Sequence, residues 1–358
     1  MRSSTYSAAV VLLLLLTVTV PAQAQFEIAS KDGKSSIKFG LLVQPQGEWI
    51  DTADGEGTTQ NLFVRRMRIL MGGKIGDKLS FFVETDSPNL GKADATGKKN
   101  DGTIFMQDII VTYAFSQKLM IDSGLLLTPN SHNSEQGATT LLPVDYGPYS
   151  FLHSVPTGSR VGRDYGVQAR GYLASNHLEY RLGVFQGARE ADSRNALRTI
   201  GRVVYYPFEA ETGFFYTGTN FGKKKILAIG ASYDRQEDYQ APAFDVYFDW
   251  PVGKNAVTLQ ADVIQYDGGT TLATLPEQTA TLFEASYYFS ALKLGPFLQY
   301  SNRNYKADAT ADETVSQVGL AYWHSNHNFN VKLGWAKLEK DRAPDRNQLV
   351  LQCQLFFF

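Results

Sequence analysis

The chain has 358 residues, 43% of them hydrophobic, with 19 Tyr, 22 Phe, a formal net charge of −2 and a single cysteine. That balance excludes the basic surface of a nucleic-acid binder, and one thiol excludes an internal disulfide framework. Beyond Val20 no run approaches the roughly 20 apolar residues of a spanning helix, so a mature chain that crosses a membrane has to cross it as a closed β-barrel.

At the N-terminus Arg2 precedes an apolar stretch, Val10 to Leu16, followed by Pro21 and the small-residue site Ala22-Gln23-Ala24. This is the pattern of a secretory signal peptide over residues 1–24, cut near Ala24/Gln25. Residues 25–358 then form one domain. From there on, apolar and polar side chains alternate with period two. Ile37, Phe39, Leu41 and Val43 oppose Lys38 and Gln44. Phe244, Val246, Phe248 and Trp250 oppose Asp245, Tyr247 and Asp249. Phe329, Val331, Leu333 and Trp335 oppose Asn330, Lys332 and Gly334. One half-buried strand of this kind fits a soluble sandwich. Its recurrence along the whole chain, with aromatic residues near strand ends, fits one face in lipid and one in water.

About sixteen such segments begin near residues 36, 61, 78, 104, 118, 163, 177, 196, 225, 243, 255, 281, 293, 314, 328 and 346. Short turns such as Gly73–Asp77 and Pro251–Lys254 alternate with longer polar connections, including Asp86–Thr103, Asp234–Pro242 and Glu339–Asp345. Short periplasmic turns and long outer loops produce this rhythm. The fold class expected is all-β: a transmembrane antiparallel β-barrel of about 16 strands, wide enough for an aqueous lumen. Pro207 to Lys224 breaks the rhythm, being far too long for a periplasmic turn.

The longest stretch without alternation, Thr128 to Gly162, follows the fifth strand. It carries Pro129, Pro143, Pro148 and Pro156 with Tyr146, Tyr149, Phe151 and Leu152. A loop of that length is usually functional, and its aromatics need a surface to pack on. It is therefore expected to fold into the lumen as a constriction, with Tyr146, Tyr149, Phe151 and Arg160 as its candidate residues. The chain ends LQCQLFFF, a strand closing on Phe358.

Three segments carry a family likeness. FVRRMRILMGGKIGDKLSFFVETD, VGRDYGVQARGYLASNHLEYRLGVFQG and YYPFEAETGFFYTGTNFGKKKILAIGASYD resemble the phosphate-selective porin O/P family, and the likeness spans nearly the whole mature chain. The resemblance implies a sixteen-stranded outer-membrane barrel, usually a homotrimer in contact with lipid and lipopolysaccharide, that passes anions and in its best-known members binds phosphate. It also makes the long Pro207–Lys224 connection a family trait. The terminal Phe358 resembles the signal read by the barrel-assembly machinery. Carried over residue by residue, the anion pathway falls on Arg66 and Arg68 of the first segment, on Arg170 and Arg181 of the second, and on Arg202. Alternation turns Arg66, Arg68, Arg170 and Arg181 inward. Arg65 falls on the lipid phase, either snorkelling to headgroups or turned inward by a bulge.

The sequence departs from the family pattern in one respect. Between Thr128 and Gly162 there is no lysine, while Glu135 and Asp145 are acidic, so loop-borne phosphate ligands cannot be placed. Among the residues assigned inward, acids slightly outnumber bases. The function expected is passive uptake of small hydrophilic solutes with a preference for anions, phosphate included, and the alternative is a general diffusion pore. His324-Ser325-Asn326-His327 has the residues of a metal pair or of a nucleophile with its base, but its place in a short periplasmic turn makes them solvated turn residues. His153-Ser154 is a hydrolase candidate that lacks a local carboxylate to orient the histidine, and the outer loops could serve as adhesin or phage-receptor surfaces. No cofactor or metal motif appears, and an enzyme is not expected.

Overall fold

Alternation along each strand is converted into two chemically opposite surfaces. The computed structural model describes residues 26–308 and 311–358; the signal peptide assigned to residues 1–24 and its cleavage site lie outside the described residues. A short strand β1 (Phe26–Ala29) precedes β2 (Ser35–Asp51), β3 (Thr58–Ile75), β4 (Leu79–Asp86), β5 (Phe105–Ser116), β6 (Leu119–Leu127), β7 (Arg163–Leu173), β8 (Leu178–Phe185) and β9 (Arg198–Tyr205). There follow β10 (Ile226–Gln236), β11 (Tyr239–Val252), β12 (Asn255–Tyr266), β13 (Gln278–Tyr288), β14 (Leu294–Tyr305), β15 (Glu313–Ser325), β16 (Phe329–Lys340) and β17 (Ala343–Phe357). Strands β2 to β17 each pair antiparallel with their chain neighbours, and β17 returns to β2, closing a 16-strand barrel.

Outward positions are apolar and exposed: Leu62, Leu182, Val203, Phe244, Val318 and Trp335 all face away from the lumen. Inward positions are polar and buried, among them Gln44, Glu48, Asp122, Gln168, Asp245, Gln260 and Gln352. A soluble protein shows the reverse, so lipid is the medium that accounts for the outer face.

Two of the connections read as long polar loops are tight hairpins. Gln236 pairs with Tyr239 and Lys340 with Ala343, so these strands run on past the apolar band as polar ribbons. The β2–β3 ladder slips by one residue between Val43/Met67 and Pro45/Val64. The extra residue lies in β3, and this bulge turns Arg65 inward beside Arg66.

The seam between β17 and β2 is tight. A Cβ on Gly40 would lie 2.4 Å from the Phe357 carbonyl oxygen, and one on Gly72 would lie 2.7 Å from the Phe358 ring. Strand β1 covers the part of β2 that extends beyond β17, pairing Phe26 with Phe39. Gly40→Ala is expected to destabilise closure by about 1–3 kcal/mol, the scale of overpacking a filled site. Urea unfolding of the refolded barrel measures this, and a wild-type midpoint in the variant would contradict it.

Candidate functional site: the occupied lumen

Two segments enter the barrel, one from each rim. The loop 128–162 enters between β6 and β7, and nearly all of Thr128 to Gln136 is buried. Its base is held by Thr128 Oγ1, which donates to the Gly162 carbonyl at 2.8 Å, and by Gly162 N, which donates to Ser154 Oγ at 2.8 Å. Deeper in, Asn130 Nδ2 donates to Asp234 at 3.0 Å and Asn133 N donates to Asp262 at 3.0 Å. Lys332 on β16 donates to the Leu141 and Pro143 carbonyls at 2.5 and 2.8 Å. The loop is thus fastened to strands on several sides of the barrel.

The second segment is the anomalous connection between β9 and β10, residues 206–225. It does not hang below the barrel as a turn. It folds up into the lumen, burying Tyr206, Glu211, Tyr216 and Thr219. Asp249 on β11 accepts from the backbone N–H groups of Asn220 and Gly222 at 2.9 and 3.1 Å. Loop and insert then join. Tyr216 N donates to the Glu135 carbonyl at 2.9 Å, and Gly137 N donates to the Tyr216 carbonyl at 3.0 Å. His132 is stacked between Tyr216 and Tyr247, with ring centroids 4.8 and 4.0 Å away, and its Nε2 lies 2.7 Å from Glu211 Oε2.

All five arginines of the expected anion pathway lie inside the barrel, and each is ion-paired. Arg66 reaches Asp145 at 2.5 Å and Gln44 at 2.9 Å. Arg68 reaches Glu84 at 2.5 Å and Asp86 at 2.9 Å. Arg170 reaches Asp122 at 2.7 Å. Arg181 lies 2.5 Å from Glu135 and 2.7 Å from Glu179. Arg202 lies 2.5 Å from Asp245 and 3.2 Å from Glu135. Glu135, at the turn of the loop, is therefore clamped between two wall arginines.

The wall contains two further buried pairs, Arg163–Asp108 and Arg198–Asp234. Sequence reasoning missed them because both arginines stand at strand edges, where the inward phase is hard to read. The insert was also missed as a lumen element. The density of Tyr206, Phe208, Phe214, Phe215 and Tyr216 was its available signal.

The loop candidates are placed as follows. Tyr146 is buried, donates from its hydroxyl to the Gln136 carbonyl at 2.7 Å, lies beneath Arg66 and meets Phe151 edge to face at 5.1 Å. Tyr149 is buried, with Arg303 over its ring and its hydroxyl 3.3 Å from Glu313. Arg160 is exposed and stacks on Phe105. His153 is buried within the loop, and burial pushes its pKa down to about 3.

The family-model comparison matches phosphate-selective porin O and P over residues 43–263. The chain belongs to that family. The porin also resembles solved outer-membrane channels in fold. The DcaP channel of Acinetobacter baumannii has 12% identity and a TM-score of 0.59, covering 92% of this chain and 99% of that one. The anion-selective porin of Comamonas acidovorans has 12% identity and a TM-score of 0.61, covering 90% and 100%. OmpF of Salmonella typhi, solved with daunomycin, has 16% identity and a TM-score of 0.61, covering 93% and 100%. Comparison with curated protein sequences gives no match. Family and fold make the chain a bacterial outer-membrane channel.

Two measurements follow from the porin's lumen. Burial works against the charge of Asp145, but Arg65 and Arg66 more than offset it and hold its carboxyl below the usual range. Asp145→Asn removes the one carboxylate these arginines share, so the reversal potential in a KCl gradient should move toward chloride. An unmoved potential would place Asp145 off the ion path.

His132 is likewise disfavoured as a cation by burial, yet Glu211, with Asp245 and Asp262 beyond, raises its pKa above the ordinary value. Its contribution to the loop–insert contact with Glu211 is full below about pH 6.5, the unfolded value, and is lost as pH rises through the raised folded value. Conductance of the native porin should rise as pH is raised through that folded value. His132→Gln should show no such step, and a step of equal size in the variant would assign the titration to another group.

Proposed function

We propose that the protein is a porin for passive diffusion of small hydrophilic solutes, with only a weak preference for charge. The observation that carries this reading is the pairing of the lumen arginines. A guanidinium held by one or two carboxylates presents little net field to a passing ion, and Arg66, Arg68, Arg170, Arg181 and Arg202 are all so held. Lumen-facing groups that keep some exposure include Arg65, Phe82, Thr139, Asp145 and Phe215 toward β3 to β5, and Tyr288, Arg303 and Glu313 on β13 to β15. The solute path is assigned to the first set, where the loop presents Asp145 to Arg65 and Arg66.

The second reading is anion preference, phosphate included. Arg65 and Arg66 face the single carboxylate of Asp145, and the buried ammonium of Lys332 is satisfied by two loop carbonyls. A local cationic excess there would draw anions, as the family name and the Comamonas neighbour suggest. Signal cleavage near Ala24, assembly as a homotrimer, contact with lipopolysaccharide and reading of Phe358 by the assembly machinery belong to the same proposal.

Planar-bilayer recording of the reconstituted porin separates the two readings. Under the first, the reversal potential in a KCl gradient stays close to that of an unselective pore, and millimolar phosphate leaves the chloride current unchanged. A strongly anionic reversal potential with phosphate block would establish the second reading. A silent bilayer would overturn both.

A further inference from the structure

Between the loop tip and the rim that carries the chain termini lies a cavity of about 290 Å³. Its walls are unlike the rest of the lumen. Phe82 of β4, Phe214 and Phe215 of the insert, and Phe358 line it with Leu70, and the Phe rings keep partial exposure. Phe82 meets Phe215 edge to face at 5.6 Å and Phe358 edge to face at 5.5 Å. Apolar rings left open to a polar lumen mark a binding surface, and a concave apolar wall with a few fixed polar groups is the general form of a small-molecule site.

The polar end of the cavity is Arg68, Glu84 and Arg163. Arg68 is buried and gives its Nη groups to Glu84 and Asp86, while its Nε–H has no acceptor among the described residues. That nitrogen is itself enclosed, so what Arg68 adds to the cavity is a guanidinium fixed in place by its two carboxylates. The surrounding charges do not favour an anion. Arg68 and Arg163 are already matched against Glu84, Asp86 and Asp108, so the cavity offers no uncompensated cation to a carboxylate or phosphate.

We propose that this cavity binds a small uncharged aromatic molecule, with its ring against Phe82 and Phe215. The volume admits a single substituted ring. Phenylalanine rings favour edge-to-face or offset contact with another ring, so this wall suits an aromatic molecule better than an aliphatic one. The site lies on the side assigned to the solute path, so it would hold such solutes transiently as they leave toward the inner rim.

Saturation-transfer NMR on the folded mature porin in detergent tests this with benzamide, acetamide and benzoate as probes. It reads binding without conduction, so its failure is distinguishable from failure of the channel reading. Benzamide ring protons should receive saturation, acetamide should not, and benzoate should bind several-fold more weakly than benzamide. Phe215→Ala should reduce benzamide affinity several-fold, and Phe82→Leu, which keeps an apolar wall residue in the barrel, should do the same. The proposal is overturned by no transfer to benzamide, by wild-type affinity in both folded variants, or by benzoate binding the more tightly of the two.

Discussion

Charges enclosed in this barrel have to be neutralised where they stand, and the rest of the lumen is arranged around that requirement. An isolated ion taken out of water is held at a cost of several kcal/mol, and removing one partner of a buried pair costs about 3–5 kcal/mol because the other is left uncompensated. The wall supplies the arginines and most of their carboxylates, and the infolded segments add Glu135, Asp145 and Glu211. Arg181 and Arg202 meet on Glu135, Arg65 and Arg66 meet on Asp145, and His132 of the loop meets Glu211 of the insert. The loop is thus gripped by its own negative charge. Its lack of lysine, which departs from the family pattern, is the same fact seen from the wall.

The second consequence is that loop and insert act as one body. Glu135 is bound through its carboxylate to the wall and through its carbonyl to Tyr216 of the insert. Asp249 collects two backbone N–H groups of the insert and the hydroxyls of Thr219 and Thr258. Loosening either segment exposes the partners of the other. A change at the loop–insert junction is therefore expected to be felt on both sides of the lumen rather than at one rim.

The barrel was legible in the sequence because lipid on one side and polar groups on the other impose period two on every strand. All sixteen strand positions follow from that period. It fails where lipid no longer constrains the chain. Above the apolar band β10 and β11 are polar on both faces, so Asp234 to Pro242 read as loop although Gln236 pairs with Tyr239. The bulge at Arg65 shifts the phase by one residue, which alternation alone cannot reveal. The insert lacked any strand period, and only its aromatic density distinguished it from a turn. The ion pairs were least legible of all, since Arg66 and Asp145 are separated by 79 residues and meet only once the loop is inside.

Selectivity is then a question of where the acid excess lies, not of how many arginines line the wall. Asp249, Asp262 and Glu284 are held by backbone, hydroxyl and amide donors rather than by guanidinium groups. They sit on β11, β12 and β13, where Asn133 of the loop covers Asp262, Asn220 and Gly222 of the insert cover Asp249, and Gln299 joins Glu284 to the Asp145 carbonyl. Fields from buried charges are strongest close by and fade through a polar, hydrogen-bonded interior. Asp249 and Asp262 therefore act chiefly on the loop and insert that cover them. The ion path is governed by the nearer set, Arg65, Arg66 and Asp145, in which one carboxylate holds the balance between two cations. A single side chain at the loop thus has more influence on what passes than the whole inventory of charge on the wall.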